Sequence, residues 1–456
     1  MRKLLLLLFT LMTTMAPAQK YVGGDISLLT KYEENGTKYY DLEGKGISDD
    51  MLGFFKSQGL NAMRVRLFVD PSKATRTEKG QGVCQDLDYV KALGKRIKDA
   101  GLSLLLDFHY SDTWADPAKQ WTPDAWKDLS DEQLYTKIYD YTKECLQAMK
   151  DAGAEPDFIQ TGNEISYGML WGAAVIKKDT YNESTGKGET VYDDNVASHK
   201  KCYSNSPASN WTRFYNLLKK AGEACQEVCP KAKIILHTER VEDPTYLTGY
   251  YQKMKDNGVN FDMIGLSYYP YFHNGLNQLE TALNRLETDH ADKDLMIVET
   301  NYYYVWQPQK GNGIDYDFST TWPITPAGQQ AYTKDLIEKL NNHPKVIGLF
   351  WWAMECSENG LNWATKRVTD GWNNTSLFND SNTSDTGYPA GKVMPAIAEL
   401  KTFLDGSAGI KLVNGSGVTD NGHSDKWYTI DGRQLSGKPS QRGVYIFNNQ
   451  KIVVRN

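Results

Sequence analysis

Residues 103–110 read SLLLDFHY, an apolar run that ends on polar and aromatic residues. Seven further runs of this kind occur along the chain, with amphipathic segments of helical length between them. The other predicted strands are VGGDIS from Val22, AMRVRLFV from Ala62, DFIQTGNE from Asp157, AKIILHTE from Ala232, FDMIGLSYY from Phe261, LMIVETNYY from Leu295 and VIGLFWWAM from Val346. Eight strands that are buried on both faces and alternate with helices predict an α/β fold of the (β/α)8 TIM barrel type.

An open, doubly wound sheet is the alternative with the same alternation of strands and helices. It usually carries a phosphate-binding glycine fingerprint after its first strand, and GGDIS from Gly23 does not supply one. Gly101, Gly153 and Gly258 stand where the C-terminal ends of helices are expected. The barrel is therefore the favoured prediction.

The two ends of the chain differ in composition from this alternating region. Residues 1–18 combine Arg2 and Lys3, an apolar stretch and a small-residue cleavage site, which predicts a secretory signal peptide and an exported protein. No other stretch reaches about 18 uninterrupted apolar residues, so we expect no transmembrane segment. Residues 19–405 form the predicted catalytic barrel, 406–424 a Gly-, Ser-, Asn- and Asp-rich linker, and 425–456 a small C-terminal β module.

Composition limits the choice of partners. A net charge of −6 over 456 residues argues against nucleic acid or an anionic membrane as a partner. The 12 Trp and 28 Tyr residues fit either core packing or a cleft that binds sugars through flat apolar rings. The six cysteines show no metal-binding spacing and receive no chemical role. We expect a monomer.

In a TIM barrel, function gathers at the C-terminal ends of the strands. Charged and aromatic residues recur at nearly every predicted strand end, which a purely structural barrel would not need. The set comprises Asp25, Arg64, Arg66, His109, Asp112, Asn163, Glu164, His237, Glu239, Tyr268, Tyr269, Glu299, Trp351 and Trp352, with Trp114 beside it.

Glu164 closes the fourth predicted strand and Glu299 the seventh, so a barrel brings them to facing sides of one mouth. Two facing carboxylates suit glycosidic cleavage, in which one is protonated to expel the leaving oxygen and the other is ionised to attack the anomeric carbon. Mutual repulsion separates the pKa values of such a pair. Asn163 stands where it could hydrogen-bond a sugar hydroxyl beside the reacting centre.

His109 and His237 could be metal ligands, but neither has a partner at HExxH-like spacing. Hydrogen bonding to sugar or carboxylate is the favoured interpretation, and no metal ligand is assigned. Among the tryptophans near the strand ends we expect some in the core and a minority stacked on sugar rings.

Four segments resemble glycoside hydrolase family 53, the arabinogalactan endo-β-1,4-galactanases: DFHYSDTWADPAKQ from Asp107, QTGNEISYGMLWG from Gln160, IGLSYYPYFH from Ile264 and IVET from Ile297. The resemblance runs from about Tyr21 to Leu404. It implies a retaining (β/α)8 hydrolase with Glu164 as the general acid/base and Glu299 as the nucleophile. Together, strand-end position and resemblance give the expected substrate-binding residues: Asp25, Arg66, His109, Asp112, Trp114, Asn163, His237, Tyr268, Trp351 and Trp352.

The chain departs from the family pattern at three places. Phe272 replaces a frequent Trp, the ETNYY segment lacks the usual proline after Glu299, and the loop with Asp315 and Asp317 lacks the Asp/His/Asn run that holds calcium in some bacterial members. We therefore expect no required cofactor and leave a structural calcium ion unassigned. The tail from Trp427 resembles C-terminal modules of secreted enzymes from Bacteroidetes-like bacteria.

The expected substrate is β-1,4-galactan. One alternative is another retaining β-glycanase of the same clan, such as a mannanase or a cellulase. A second alternative is a non-catalytic polysaccharide-binding protein, against which the intact Asn163, Glu164 and Glu299 weigh.

Overall fold

The computed structural model describes residues 19–47, 49–362, 367–369, 373–380 and 388–405, together with 410–413, 427–429, 435, 437–439, 443–447 and 450–454. The predicted signal peptide lies outside these residues and stays a prediction. The chain divides into one compact unit, Tyr21–Asp405, and a second that includes Gly406–Asn456.

Eight parallel strands close into a barrel in the first unit, which confirms the predicted fold. Each strand pairs with its neighbours in the chain, and the last pairs with the first, with Gly348 opposite Tyr21. We number these barrel strands β1 Tyr21–Asp25, β2 Ala62–Leu67, β3 Ser103–Phe108, β4 Phe158–Thr161, β5 Lys233–Thr238, β6 Met263–Ser267, β7 Asp294–Thr300 and β8 Val346–Trp351.

Helices follow every strand. They are Leu29–Asn35 and Met51–Ser57 after β1, Arg76–Gly80 and Leu87–Asp99 after β2, Asp131–Asp151 after β3, Ala208–Val228 after β4, Pro244–Asp256 after β5, Pro270–His273 and Leu276–Asp289 after β6, Pro326–Leu340 after β7, and Ile397–Leu400 and Thr402–Asp405 after β8. The helix Asp131–Asp151 begins with a capping box between Ser130 and Gln133, which satisfies two backbone N–H groups. No described helix is long and apolar enough to cross a membrane.

The two faces of the strands bury different neighbours. Alternate residues such as Leu105, Phe158 and Ile235 form a small cluster made only of strand side chains, which fills the interior of the barrel. The intervening residues, such as Leu104 and Ile234, join the large cluster that includes the helices. At the C-terminal ends of the strands, the polar side chains of the site lie on this same interior face.

Two further β-structures flank the barrel strands. An antiparallel hairpin, Ile176–Asn182 with Lys187–Tyr192, follows β4, and a short pair, Gln309–Lys310 with Gly313–Ile314, follows β7.

The second unit contains a four-stranded sheet of Ile410–Val413, Trp427–Thr429, Gly443–Phe447 and Gln450–Val454. The first of these strands lies inside the predicted linker 406–424, so that part of the linker prediction is wrong. IKLV is a short strand-forming run, and it pairs in parallel with Gln450–Val454, whereas the polar residues around it suggested a linker.

Candidate active site

A cleft of about 840 Å³ opens at the C-terminal ends of the barrel strands. Residues from the loops after β2 to β8 line it. Six of the predicted site residues are among them: His109, Trp114, Asn163, Glu164, Glu299 and Trp352.

Arg64 of β2 is the charged centre beneath the cleft, and it is fully buried. Its guanidinium contacts Asp25 at 3.0 Å, Asp107 at 2.7 Å and Glu299 at 2.9 Å. Burial opposes ionisation of Asp107, but Arg64 and His109 outweigh it and lower the pKa of Asp107 to about 2. Arg64 thus contacts three carboxylates at once and favours the ionised form of Asp107.

Glu299 is held by two donors. Its Oε1 forms an ion pair of 2.9 Å with Arg64, and its Oε2 accepts a hydrogen bond of 2.7 Å from the Tyr269 hydroxyl. Burial raises the pKa of Glu299, while Arg64 and Tyr269 act in the opposite direction because both stabilise the carboxylate. This carboxylate is fixed in position and supported in its ionised form.

Glu164 lies in a different environment, although it lines the same cleft. Within the described part of the chain, no lysine or arginine forms an ion pair with it. Burial raises the pKa of Glu164 well above its usual range, and the negative charges of Glu299 and Glu239 raise it further. Its backbone is left-handed, with φ 47°, and its N–H points to His237 Nδ1 at 3.3 Å. This strain costs on the order of 1–3 kcal/mol and fixes where the side chain enters the cleft.

His237 supports Glu164 from behind. Its Nδ1 lies 3.0 Å from the Gln160 Nε2 donor, 3.3 Å from the Glu164 N–H donor and 3.0 Å from the Asn163 Oδ1 acceptor. Two donors against one acceptor favour a ring proton on Nε2, which is then donated to Ser267 Oγ at 2.8 Å. Burial, and then the charge of Arg64, lowers the pKa of His237 well below its usual range. Ser267 in turn hydrogen-bonds the Glu164 carboxylate. His237 is thus a neutral positioning group.

His109 and Asn163 are fixed by similar bonds. His109 contacts Asp107 at 3.1 Å through Nε2 and accepts from the Ala115 N–H at 3.0 Å through Nδ1. Asn163 donates to the Ala115 carbonyl at 2.7 Å and accepts from Arg64 at 2.8 Å. Both side chains therefore reach the cleft in a defined orientation.

Two indole rings form an apolar wall of the cleft. Trp114 and Trp352 come from the segments after β3 and β8, and their ring centroids lie 6.1 Å apart. Arg66 stacks on Trp114, with its guanidinium carbon 4.5 Å from the ring centroid. Flat rings of this kind suit the apolar faces of sugars.

Six residues expected to touch sugar do not line the cleft: Asp25, Arg66, Asp112, His237, Tyr268 and Trp351. Asp25 is occupied by Arg64 and Arg66 and is buried beneath the site. Arg66 lies behind Trp114, and His237 lies behind Glu164. These three residues support the residues at the surface of the cleft.

The other three residues that do not line the cleft are each held by contacts outside it. Asp112 accepts from the backbone N–H groups of Asp70 at 3.0 Å and Asp124 at 2.8 Å, so its carboxylate joins two loops. Tyr268 and Trp351 face the helices. The Tyr268 hydroxyl donates to the Asn274 carbonyl, and Trp351 Nε1 donates to the Thr375 carbonyl.

Other residues line the cleft without having been predicted as binding residues. Tyr269 and Glu239 were noted as strand-end residues, and that position is the signal that could have selected them. The remainder come from the segments that follow the barrel strands, where no periodic pattern marks the residues that face the cleft: Gln81, Ala115, Asp116, Pro117, Lys119, Tyr167, Lys187, Gly188, Arg240, Glu242, Phe272, His273, Asp315 and Tyr316.

The described residues contain no group of three or more His, Cys, Asp or Glu side chains arranged to hold a metal ion. Asp317 accepts from the Gln307 side chain and the Ser319 N–H, whereas Asp315 faces the cleft. These two aspartates do not form a cation cradle. All six cysteines are free thiols.

A TIM barrel with two differently supported glutamates in one sugar-sized cleft defines a glycoside hydrolase. The profile of glycosyl hydrolase family 53 matches residues 21–390, and the chain belongs to this family.

The chain is similar to characterised members in sequence and structure. It is 30% identical over 334 residues to the endo-β-1,4-galactanase of Bacillus subtilis, covering 72% of this chain and 68% of that protein. It is 30% identical over 353 residues to the arabinogalactan endo-β-1,4-galactanase A of Aspergillus niger, covering 76% and 88%. The family 53 catalytic domain of Ignisphaera aggregans superposes with a TM-score of 0.66 at 28% identity, covering 85% of this chain and 97% of that one.

Proposed function

We propose that this enzyme is a secreted endo-β-1,4-galactanase that hydrolyses β-1,4-galactan and arabinogalactan side chains of pectin with retention of configuration. The galactanase relatives support the substrate class. The observation that carries the mechanism is the contrast within the cleft, where Glu299 contacts a buried cation and Glu164 does not.

In the first step, Glu299 attacks the anomeric carbon as the glycosidic bond breaks, and Glu164 transfers its proton to the leaving oxygen. Arg64 and Tyr269 hold the Glu299 carboxylate in place for this attack. The product is a galactosyl ester of Glu299 and a shortened galactan chain.

In the second step, Glu164, now ionised, takes a proton from water, and the oxygen of that water attacks the anomeric carbon. The ester bond breaks and Glu299 leaves as a carboxylate. Two inversions give net retention. The same residue can act first as acid and then as base because its pKa is raised and no fixed cation holds it ionised.

The cleft surface supplies the binding groups. Trp114 and Trp352 stack on the sugar, and His109 and Asn163 hydrogen-bond its hydroxyl groups near the cleavage point. The chemistry needs no organic cofactor. The predicted signal peptide and the polysaccharide substrate support a place of action outside the cell, and the enzyme is proposed to act as a monomer.

The test is the release of reducing ends from galactan, mannan and cellulose under identical conditions. Potato or lupin galactan should be cleaved fastest, giving short β-1,4-galacto-oligosaccharides, and NMR should detect the β-anomer first. Faster cleavage of mannan or cellulose would refute the substrate assignment. Binding of galactan without cleavage would favour a non-catalytic role. If the product that forms first were the α-anomer, retention of configuration would be refuted.

A further inference from the structure

The hairpin Ile176–Tyr192 lies, like Glu164, in the segment after β4, yet most of its residues are exposed to solvent. It therefore contributes little to the core of the barrel. Two of its residues, Lys187 and Gly188, line the cleft together with Gln81 from the loop after β2.

Contacts with the segment after β2 fasten the hairpin along its length. Arg76 forms a two-point ion pair with Glu183, at 2.9 and 2.7 Å, and its guanidinium carbon lies 4.0 Å from the Tyr181 ring centroid. Thr77 donates to Asp179 at 2.9 Å. Each exposed contact is weak, but several together give the hairpin a defined position.

Close backbone packing adds to this fastening. A Cβ atom at Gly188 would lie 2.4 Å from Thr77 Oγ1 and 2.7 Å from the Thr180 carbonyl oxygen, so only glycine fits there. At the turn, Arg367 from the segment after β8 donates to the Thr185 carbonyl at 2.6 Å. The hairpin thus runs from the β4 loop to the β2 loop and on to the β8 segment, along one side of the barrel mouth.

The two donors that this arrangement presents to the cleft are Lys187 and Gln81. Within the described residues, the Lys187 ammonium has no ion-pair partner and the Gln81 side-chain amide has no hydrogen-bond partner. By contrast Lys178, on the facing strand, is paired with Glu189 at 2.5 Å and does not line the cleft. Lys187 and Gln81 are therefore available to sugar hydroxyl groups.

Catalysis takes place elsewhere in the same cleft. Glu164 and Glu299 are linked to the groups beneath them, Ser267 and Arg64, whereas the hairpin contacts neither glutamate through any described bond. A residue in the hairpin can thus meet a sugar unit other than the one that reacts.

We propose that the hairpin Ile176–Tyr192 forms a distal sugar-binding subsite of this cleft, in which Lys187 and Gln81 hydrogen-bond a galactosyl unit remote from the bond that is cut. This rests on the proposed galactanase function. The subsite adds affinity only for substrates long enough to reach it, and so it sets which oligosaccharides are cut fast and how long the products are.

The test compares kcat/KM for β-1,4-galacto-oligosaccharides of increasing length. The double variant Lys187→Ala, Gln81→Ala should lose about tenfold in kcat/KM on the longest oligosaccharides, because two hydrogen bonds to the substrate are lost. The loss should shrink as the substrate shortens, and long oligosaccharides should accumulate during galactan digestion. Lys178→Ala, on the facing strand of the same hairpin, is the matched control and should behave as wild type.

A loss that is equal at every chain length, or no loss at any length, would overturn the proposal. So would an equal length-dependent loss in Lys178→Ala. Failure of the proposed function would look different, because the wild-type enzyme itself would not cleave galactan. In that case the same length series, made from the polysaccharide that is cleaved, would test the subsite separately.

Discussion

Glu299 and Glu164 face one cleft but differ in what lies around them. The carboxylate of Glu299 receives a guanidinium and a phenol, with Arg64 at 2.9 Å and Tyr269 at 2.7 Å. Glu164 has a neutral histidine and a serine behind it and forms no ion pair with a described lysine or arginine, and the carboxylates of Glu299 and Glu239 raise its pKa. Identical side chains thus acquire different protonation behaviour from their surroundings, and this difference supports the proposed roles of Glu299 as nucleophile and Glu164 as acid.

The largest expected effect is the loss of either carboxylate. Glu299→Gln and Glu164→Gln should each lower kcat on galactan by about 10⁴-fold, because each group acts in the transition state. With an aryl β-galactoside whose leaving group needs no protonation, formation of the glycosyl-enzyme should recover in Glu164→Gln alone. Pre-steady-state release of the phenol measures this. Recovery in Glu299→Gln instead would contradict the assigned roles.

The next effect concerns the cation beneath the nucleophile. Arg64→Met removes the buried cation that contacts Asp107 and Glu299 and leaves Asp25 with Arg66 alone, so the free energy of unfolding should fall by about 3–5 kcal/mol. Urea unfolding measures it. Arg285→Met, which removes an exposed partner of Asp289, is the control and should cost about 0–1 kcal/mol. Equal costs for the two variants would mean that Arg64 is not the centre of the network.

A smaller effect is expected at the second donor to the nucleophile. Tyr269→Phe removes one hydrogen bond to Glu299 and keeps the ring, so kcat should fall by about tenfold, the value of a hydrogen bond to a charged group. Tyr303→Phe is a comparison at a nearby buried tyrosine that does not line the cleft. Unchanged kcat in Tyr269→Phe would show that Arg64 alone positions Glu299.

The smallest effect is a shift in pH dependence at the acid. Glu239→Gln removes a negative charge that raises the pKa of Glu164. Activity is lost at high pH as Glu164 loses the proton that it must donate. The basic limb of the kcat/KM profile should therefore move to lower pH. If the basic limb stays at the same pH, the charge of Glu239 does not affect the pKa of Glu164.

The stability of the same variant should also respond to pH. Burial raises the pKa of Glu239 from 4.5 to about 8. The stability that Glu239 contributes is therefore fully present below the pKa of Glu239 in the unfolded protein. It is lost as pH rises through the pKa of Glu239 in the folded protein. Melting temperatures across this range should fall less in Glu239→Gln than in wild type. An identical fall in both proteins would argue that Glu239 is not buried as described.

The barrel could be predicted because its strands are buried on both faces and therefore stand out as apolar runs, from Val22 in β1 to Val346 in β8. The strand-end positions of Glu164 and Glu299 predicted that both would line one cleft, which the structure shows, whereas their catalytic roles stay a prediction. The linker prediction failed at Ile410–Val413 because a strand of four residues inside a polar stretch gives little signal.

The choice between neighbouring aromatic residues was harder to predict. Tyr268 was expected in the cleft, but Tyr269 lines it, and Trp351 was expected beside Trp352. Strand pairing shifts register between Leu266 and Ser267, and again between Leu349 and Trp351. A simple alternation count along the strand therefore does not identify the residue that faces inward.

The residues that reach the cleft from outside the barrel strands were not predicted, for a different reason. Lys187 and Arg240 reach the cleft because of the path of their loops, which no periodic pattern records. Asp112 shows the converse, since its short side chain turns to the backbone of Asp70 and Asp124. Residue type at a strand end indicates a site but not which atoms face it.

The central claim is that Glu299 is the nucleophile and Glu164 the acid/base, and chemical rescue by azide tests it most directly. In Glu164→Ala, an activated aryl β-galactoside should still form the ester on Glu299, and azide should then attack it to give the β-galactosyl azide. In Glu299→Ala, azide should occupy the vacated space and displace the aryl group itself, giving the α-galactosyl azide. NMR distinguishes the two anomers. The β-azide from Glu299→Ala and the α-azide from Glu164→Ala would contradict the account and reverse the two roles.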